Sequence, residues 1–242
     1  MNLKLRLTVM NFLQFFVWGA WLLTIGAWWF QNRHWSGTGF GAIFSTMGIA
    51  SLFMPSLMGI VADKWINAER LYGLLHIGGA VMLFLIPRVD DPATMFPVMF
   101  ATMCFYMPTI ALAITVSYNA LKNEGMDVVG AYPPIRVWGT VGFIAATWTT
   151  SLAGLETSPG QFYVASAASL ALGLYAFTLP PCRPKLDAAH SGSLADRLGL
   201  TSFTLFRDRN MAVFFIFAML LGAALQLTNA YGDTFLHDFA NV

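Results

Sequence analysis

Charge is scarce in this sequence: Asp, Glu, Lys and Arg make up 10% of its 242 residues, where a soluble domain carries roughly 25%. A chain so poor in charge has too little polar material to cover a surface facing water on all sides. Its 13 basic and 12 acidic residues leave a net charge of +1, too weak a field to hold a nucleic acid. Cysteine is nearly absent as well. Cys104 falls inside an apolar run and Cys182 in a basic loop, which yields neither a disulfide framework nor a metal pair. No His-Glu-x-x-His or Gly-x-Ser-x-Gly segment occurs, so zinc hydrolysis and nucleophile-elbow catalysis have no basis. Tyr231-Gly232-Asp233 supplies a single acid, and an intramembrane aspartyl protease needs a pair. The sequence predicts no enzyme, no metal and no cofactor.

What the chain has instead is apolar residues, 57% of the total, gathered into long runs that lipid rather than a protein core would solvate. Seven runs approach the ~20 residues that cross a ~30 Å hydrocarbon layer. They extend from Val9 to Phe30, Phe40 to Ala62, Leu71 to Pro87, Thr94 to Leu121, Pro133 to Leu155, Gln161 to Leu179 and Met211 to Tyr231. The first is too long for the apolar region of a signal peptide and lacks a small-residue cleavage site, so it is expected to remain as a span.

Basic residues set the orientation, because cytoplasmic loops collect them. With the N-terminus in the cytoplasm, that side holds Lys4, Arg6, Lys64, Arg70, Lys122, Arg183, Lys185, Arg197, Arg207 and Arg209, and the other side holds Arg33 and Arg88. The longest and most basic connection follows the sixth span. The pattern predicts an all-α membrane protein: a six-helix bundle over residues 1–180, a cytoplasmic linker over 181–209, and over 210–242 a seventh span that opens a second bundle. A linker followed by one span suggests about half of a six-plus-six protein. Val17-Trp18-Gly19-Ala20 echoes Val137-Trp138-Gly139-Thr140, but spans one and five do not superpose in a three-helix repeat, so the echo reads as chance.

The fifth span carries the most chemistry. Arg136, Thr140 and Phe143 stand at i, i+4 and i+7, within roughly 60° of helical arc. A cation, a hydroxyl and an aromatic ring on one stripe suit a polar solute that contains a ring. Two depths are compatible with the residues. If Val137 to Leu155 alone crosses the membrane, Arg136 rests at the surface. If the helix starts near Asp127, which can cap it, Arg136 lies ~14 Å inside at 1.5 Å per residue. In the seventh span Gln226 and Asn229, at i and i+3, offer two carboxamides to a base or a sugar, or to a neighbouring helix.

Other polar residues in the spans have simpler explanations. Asn11 and Gln14 fall near the cytoplasmic end of the first span, where head groups can satisfy them. Tyr118 and Asn119 close the fourth. His76 reads as a packing residue, with no carboxylate partner in the early spans. Trp18, Trp21, Trp28 and Trp29 read as interfacial and packing residues, and Gly139 and Gly142 as sites of close helix approach. Pro55, Pro97 and Pro108 can bend their spans without ending them. Asp63, Asp127 and Asp233 all stand near span ends, so no proton-coupling carboxylate lies deep in any span.

Gly59-Ile60-Val61-Ala62-Asp63-Lys64 resembles the loop motif of the major facilitator superfamily, although Trp65-Ile66 stands where that motif has glycine. Met1 to Leu5, Phe12 to Phe15, Gly59 to Trp65, Tyr132 to Ile144, Met211 to Asn229 and Phe235-Leu236-His237 together resemble the nucleoside:proton symporter family of that superfamily, in order and spacing along the whole chain. The resemblance implies a major facilitator N-terminal six-helix bundle plus the seventh helix. It implies proton-coupled nucleoside uptake across the bacterial inner membrane by alternating access, with Arg136, Thr140, Phe143, Gln226 and Asn229 as substrate ligands. It also implies that proton-coupling acids come from C-terminal helices of the same protein that are missing here. The expected partners are a nucleoside, protons and membrane lipid. A major facilitator carrying another solute such as a sugar, or a non-transporting membrane scaffold, is the alternative.

Overall fold

Short polar side chains, more than the apolar runs themselves, set where the helices begin. In this computed structural model, which describes residues 2–184 and 200–239, Asn2 caps α1 (Leu3–Gly19), Ser36 caps α3 (Gly37–Lys64), Asp91 caps α5 (Pro92–Asn123) and Asp127 caps α6 (Val128–Leu152). Each side chain accepts a hydrogen bond from a backbone N–H of the first turn that has no partner within the helix. The remaining helices are the short α2 (Ile25–Ala27), α4 (Ala68–Leu85), α7 (Gly160–Ala176) and α8 (Arg209–Phe239). No strand occurs among the described residues.

The first expected span is not one straight helix. α1 ends at Gly19, and after a turn α2 runs into a wider, π-helical segment, Trp28–Asn32. Thr24, in the break, donates to Gln161 Oε1 on α7 at 2.8 Å. Pro55, Pro97, Pro108, Pro133 and Pro134 all lie within helices. Four helical segments are long and apolar enough to cross a membrane by themselves: Gly37–Lys64, Ala68–Arg88, Pro92–Asn123 and Arg209–Gly232. α1 and α7, at 17 residues each, are shorter. Lys185 and Arg197, assigned above to the cytoplasmic side, lie outside the described residues.

The packing has a symmetry that the sequence hides. The most extensive contacts pair α1 with α6, α4 with α7 and α3 with α5, followed by α4 with α5 and α1 with α7. Exchanging α1, α3 and α4 with α5, α6 and α7 maps this set of pairs onto itself, the pattern of two three-helix repeats. The Val-Trp-Gly echo is no part of it.

Two apolar clusters fill the bundle. One gathers Trp21, Trp28, Trp29, Phe40, Met95 and Phe162; the other gathers Leu7, Met10, Tyr72, Val116, Leu121 and Leu172. The tryptophans therefore pack, as expected. α8 stands apart. It touches α2, the 3-10 segment Leu200–Arg207 and, through Tyr231, Phe40 of α3, and most of its apolar side chains are bare, with Met219 68% and Leu220 66% exposed.

Candidate solute-binding site

Asp127 sets where α6 begins and so how far along it Arg136 stands. Its carboxylate accepts from the backbone N–H groups of Val129 at 3.2 Å and Gly130 at 3.0 Å, so α6 starts at Val128 and carries both prolines in its early turns. Arg136 lies roughly 14 Å along the axis from the cap. Of the two starts considered for this helix, the fold adopts the one at Asp127.

Arg136 is half-buried, and its Cζ lies 3.8 Å from the ring centroid of Phe15 on α1. Among the described residues no carboxylate comes within ion-pairing distance of it. Beside it runs an open groove of about 500 Å³ lined by Tyr132, Pro133, Arg136, Val137 and Thr140. Thr140 is exposed there, and Tyr118 of α5 meets Tyr132 edge-on at 4.9 Å. Cation and hydroxyl thus share one wall. Phe143, next on the stripe, is half-buried and packs against the apolar cluster around Trp21; it does not line that groove.

The carboxamides of α8 sit elsewhere. Gln226 and Asn229 are both half-buried beside the buried Ala230, so they mark the face turned toward the bundle. Gln226 Nε2 lies 4.0 Å from Met47 Sδ on α3, and Tyr231 packs edge-on against Phe40 at 5.4 Å. The structure brings Arg136 and Thr140 together on one groove and sets Gln226 against α3, with Asn229 half-buried on the same helix.

The sequence reading missed a buried polar layer. Gln14 is fully buried, not among head groups. Its Oε1 accepts from the Tyr72 hydroxyl at 2.6 Å and from His76 Nε2 at 2.9 Å, while its Nε2 donates to Thr109 Oγ1 at 2.9 Å. His76 Nδ1 lies 3.1 Å from Ser169 Oγ, whose hydroxyl donates to the His76 backbone carbonyl at 2.8 Å. Tyr106 donates to the Gln14 backbone carbonyl at 2.8 Å. On α1, α4, α5 and α7 alike the polar residue sits where one apolar cluster gives way to the other. The available signal was Gln14 itself, a carboxamide inside an apolar run. A second omission is Glu69, buried in the first turn of α4, where it accepts from the Cys182 backbone N–H at 2.7 Å and from Asn67 Nδ2 at 3.0 Å. It fastens the segment after α7.

A helical bundle with apolar outer faces and a buried polar layer defines an all-α, multi-pass membrane protein. The profile of the Nucleoside H+ symporter family matches residues 1–242, and the chain belongs to that family. It is 51% identical over 240 residues to the xanthosine permease of Escherichia coli (strain K12), covering 99% of this chain and 57% of that one. Against the nucleoside permease NupG of the same organism the identity is 48% over 239 residues, with the same coverage. A crystal structure of a mutant of nucleoside transporter NupG superposes with a TM-score of 0.89 at 48% identity, over 100% of this chain and 60% of that one. The chain therefore spans somewhat over half the length of these relatives. The family consists of carriers, not enzymes.

Proposed function

We propose that this chain forms the N-terminal part of a proton-coupled nucleoside uptake protein of the bacterial inner membrane. Residues 1–180 are the first six-helix bundle, 181–209 a cytoplasmic linker, and 210–242 the first helix of the second bundle, with the N-terminus in the cytoplasm. The observation that carries the reading is the pairing of Arg136 and Thr140 on one open groove, in a chain that resembles permeases of xanthosine and nucleosides by name.

In this reading Arg136 donates hydrogen bonds to the solute, Thr140 and the carboxamides of Gln226 and Asn229 recognise hydroxyl and base groups, and Phe143 supplies a stacking face. The two bundles expose the solute to one side of the membrane at a time. Further helices of the same protein close the site and contribute the acids that bind the coupling proton, since the only buried carboxylate among the described residues, Glu69, already bonds backbone at a helix end. Transport assays on the full-length protein test this. Uridine uptake should be driven by an inward proton gradient, collapse with a protonophore, and be competed by unlabelled nucleosides but not by sugars. Sugar competition, or indifference to the gradient, would overturn the assignment.

A further inference from the structure

An aromatic ring holds Arg136 from one side. The 3.8 Å separation of its Cζ from the Phe15 centroid is well within the ~6 Å reach of a cation–π contact. The two residues come from α1 and α6, the most closely associated helices of the bundle. Between them stands Gly139. A Cβ there would lie 2.6 Å from Phe15 Cδ2 and 2.7 Å from Arg136 Nη1, so the absence of a side chain is what lets ring and guanidinium share this patch of α6.

The ring is braced in turn. Trp18 lies 6.3 Å from Phe15, Tyr106 lies 5.5 Å from Trp18, and the Tyr106 hydroxyl bonds the carbonyl of Gln14, the residue before Phe15. Stacking has a consequence that ion pairing lacks. A carboxylate would engage the guanidinium edge and use up its in-plane N–H donors, whereas a ring covers one face and leaves all five donors free.

We propose that Phe15 is a positioning residue for solute recognition: its ring fixes the plane of the Arg136 guanidinium so that the N–H edge faces the groove beside Thr140. This rests on the reading of Arg136 as a solute ligand. Phe15 itself needs no contact with the solute. It sets affinity by sparing Arg136 the loss of rotamer freedom that binding would otherwise impose.

The test is uridine binding at equilibrium to full-length Phe15→Leu, Phe15→Tyr and Arg136→Ala proteins, each with its thermal unfolding measured in parallel. Phe15→Leu should raise Kd about threefold to tenfold, the range a cation–π contact supports, and Phe15→Tyr, which keeps the ring face, should return Kd to within about twofold of the parent. Phe15→Met provides a second non-aromatic variant of similar volume if Phe15→Leu does not fold. An unchanged Kd in the non-aromatic variants, with binding abolished by Arg136→Ala, overturns the positioning role. So does a Tyr variant as weak as the Leu variant. If Arg136→Ala binds uridine normally, the fault lies in the assignment of Arg136 itself.

Discussion

Gln14 Oε1 and His76 Nε2 meet at 2.9 Å in the middle of the bundle, 62 residues apart in sequence. The contact ties α1 to α4, and through Ser169 and Thr109 it reaches α7 and α5. Buried polar groups that are fully partnered specify one arrangement of helices, because any slippage leaves donors without acceptors.

Replacing Gln14 with Leu should therefore destabilise the protein by about 1–3 kcal/mol, the cost of leaving the Tyr72 hydroxyl and the imidazole without their acceptor. The measurement is thermal unfolding in detergent for Gln14→Leu, His76→Leu and the pair. The double variant should lose less than the two single losses combined, since each removes a partner of the other. Strict additivity would separate the two residues energetically.

At Gly142 a Cβ would be driven into the backbone carbonyl of Phe12. That backbone cannot give way without moving α1 away from α6. Gly142→Ala should cost about 1–3 kcal/mol through overpacking, read as a lowered unfolding temperature. Gly48 has open space around its Cβ position, and Gly48→Ala serves as the tolerated control.

In a full-length protein, Arg136→Ala should abolish uridine uptake with membrane insertion unchanged. Arg136→Lys should restore only part of it, because a point charge lacks the planar edge that a guanidinium presents. Uptake of labelled uridine, normalised to the inserted protein, is the measurement. Undiminished uptake in Arg136→Ala would remove this residue from the site.

Asp91 lies in the connection ahead of α5, where bonds from the Thr94 hydroxyl at 3.0 Å and the Thr94 N–H at 3.1 Å hold its carboxyl below the usual carboxylate range. A lowered folded-state value means that the cap stabilises α5 fully above the ordinary value of about 3.9 and fades as pH falls through the lowered one. Unfolding temperatures of the parent and Asp91→Asn, followed from about pH 7 down to pH 3, should converge toward acid. A gap independent of pH would show that the charge is not what caps the helix.

Much of the candidate site could be read along one helix. Arg136 and Thr140 share a stripe because of 3.6-residue periodicity, and that needs only local order. Their place along α6 could not be read the same way, since it turned on whether Asp127 or the prolines at 133 and 134 governed the start of that helix. Gln14 was misjudged for a different reason: it looked alone within its own run, and its partners, His76 among them, came from other helices.

The sequence by itself determined that this chain is an all-α membrane protein, because apolar run length acts locally on a chain that must satisfy its own backbone, and its motifs carried the family. Tertiary structure alone decided which polar residues face one another. It paired α1 with α6 through Gly139 and Gly142, stacked Phe15 on Arg136, and gathered a carboxamide, an imidazole and three kinds of hydroxyl-bearing side chain from four helices into one layer. Those contacts depend on helix rotation and relative height. Helix rotation and height are set by packing between segments, and no single segment contains them.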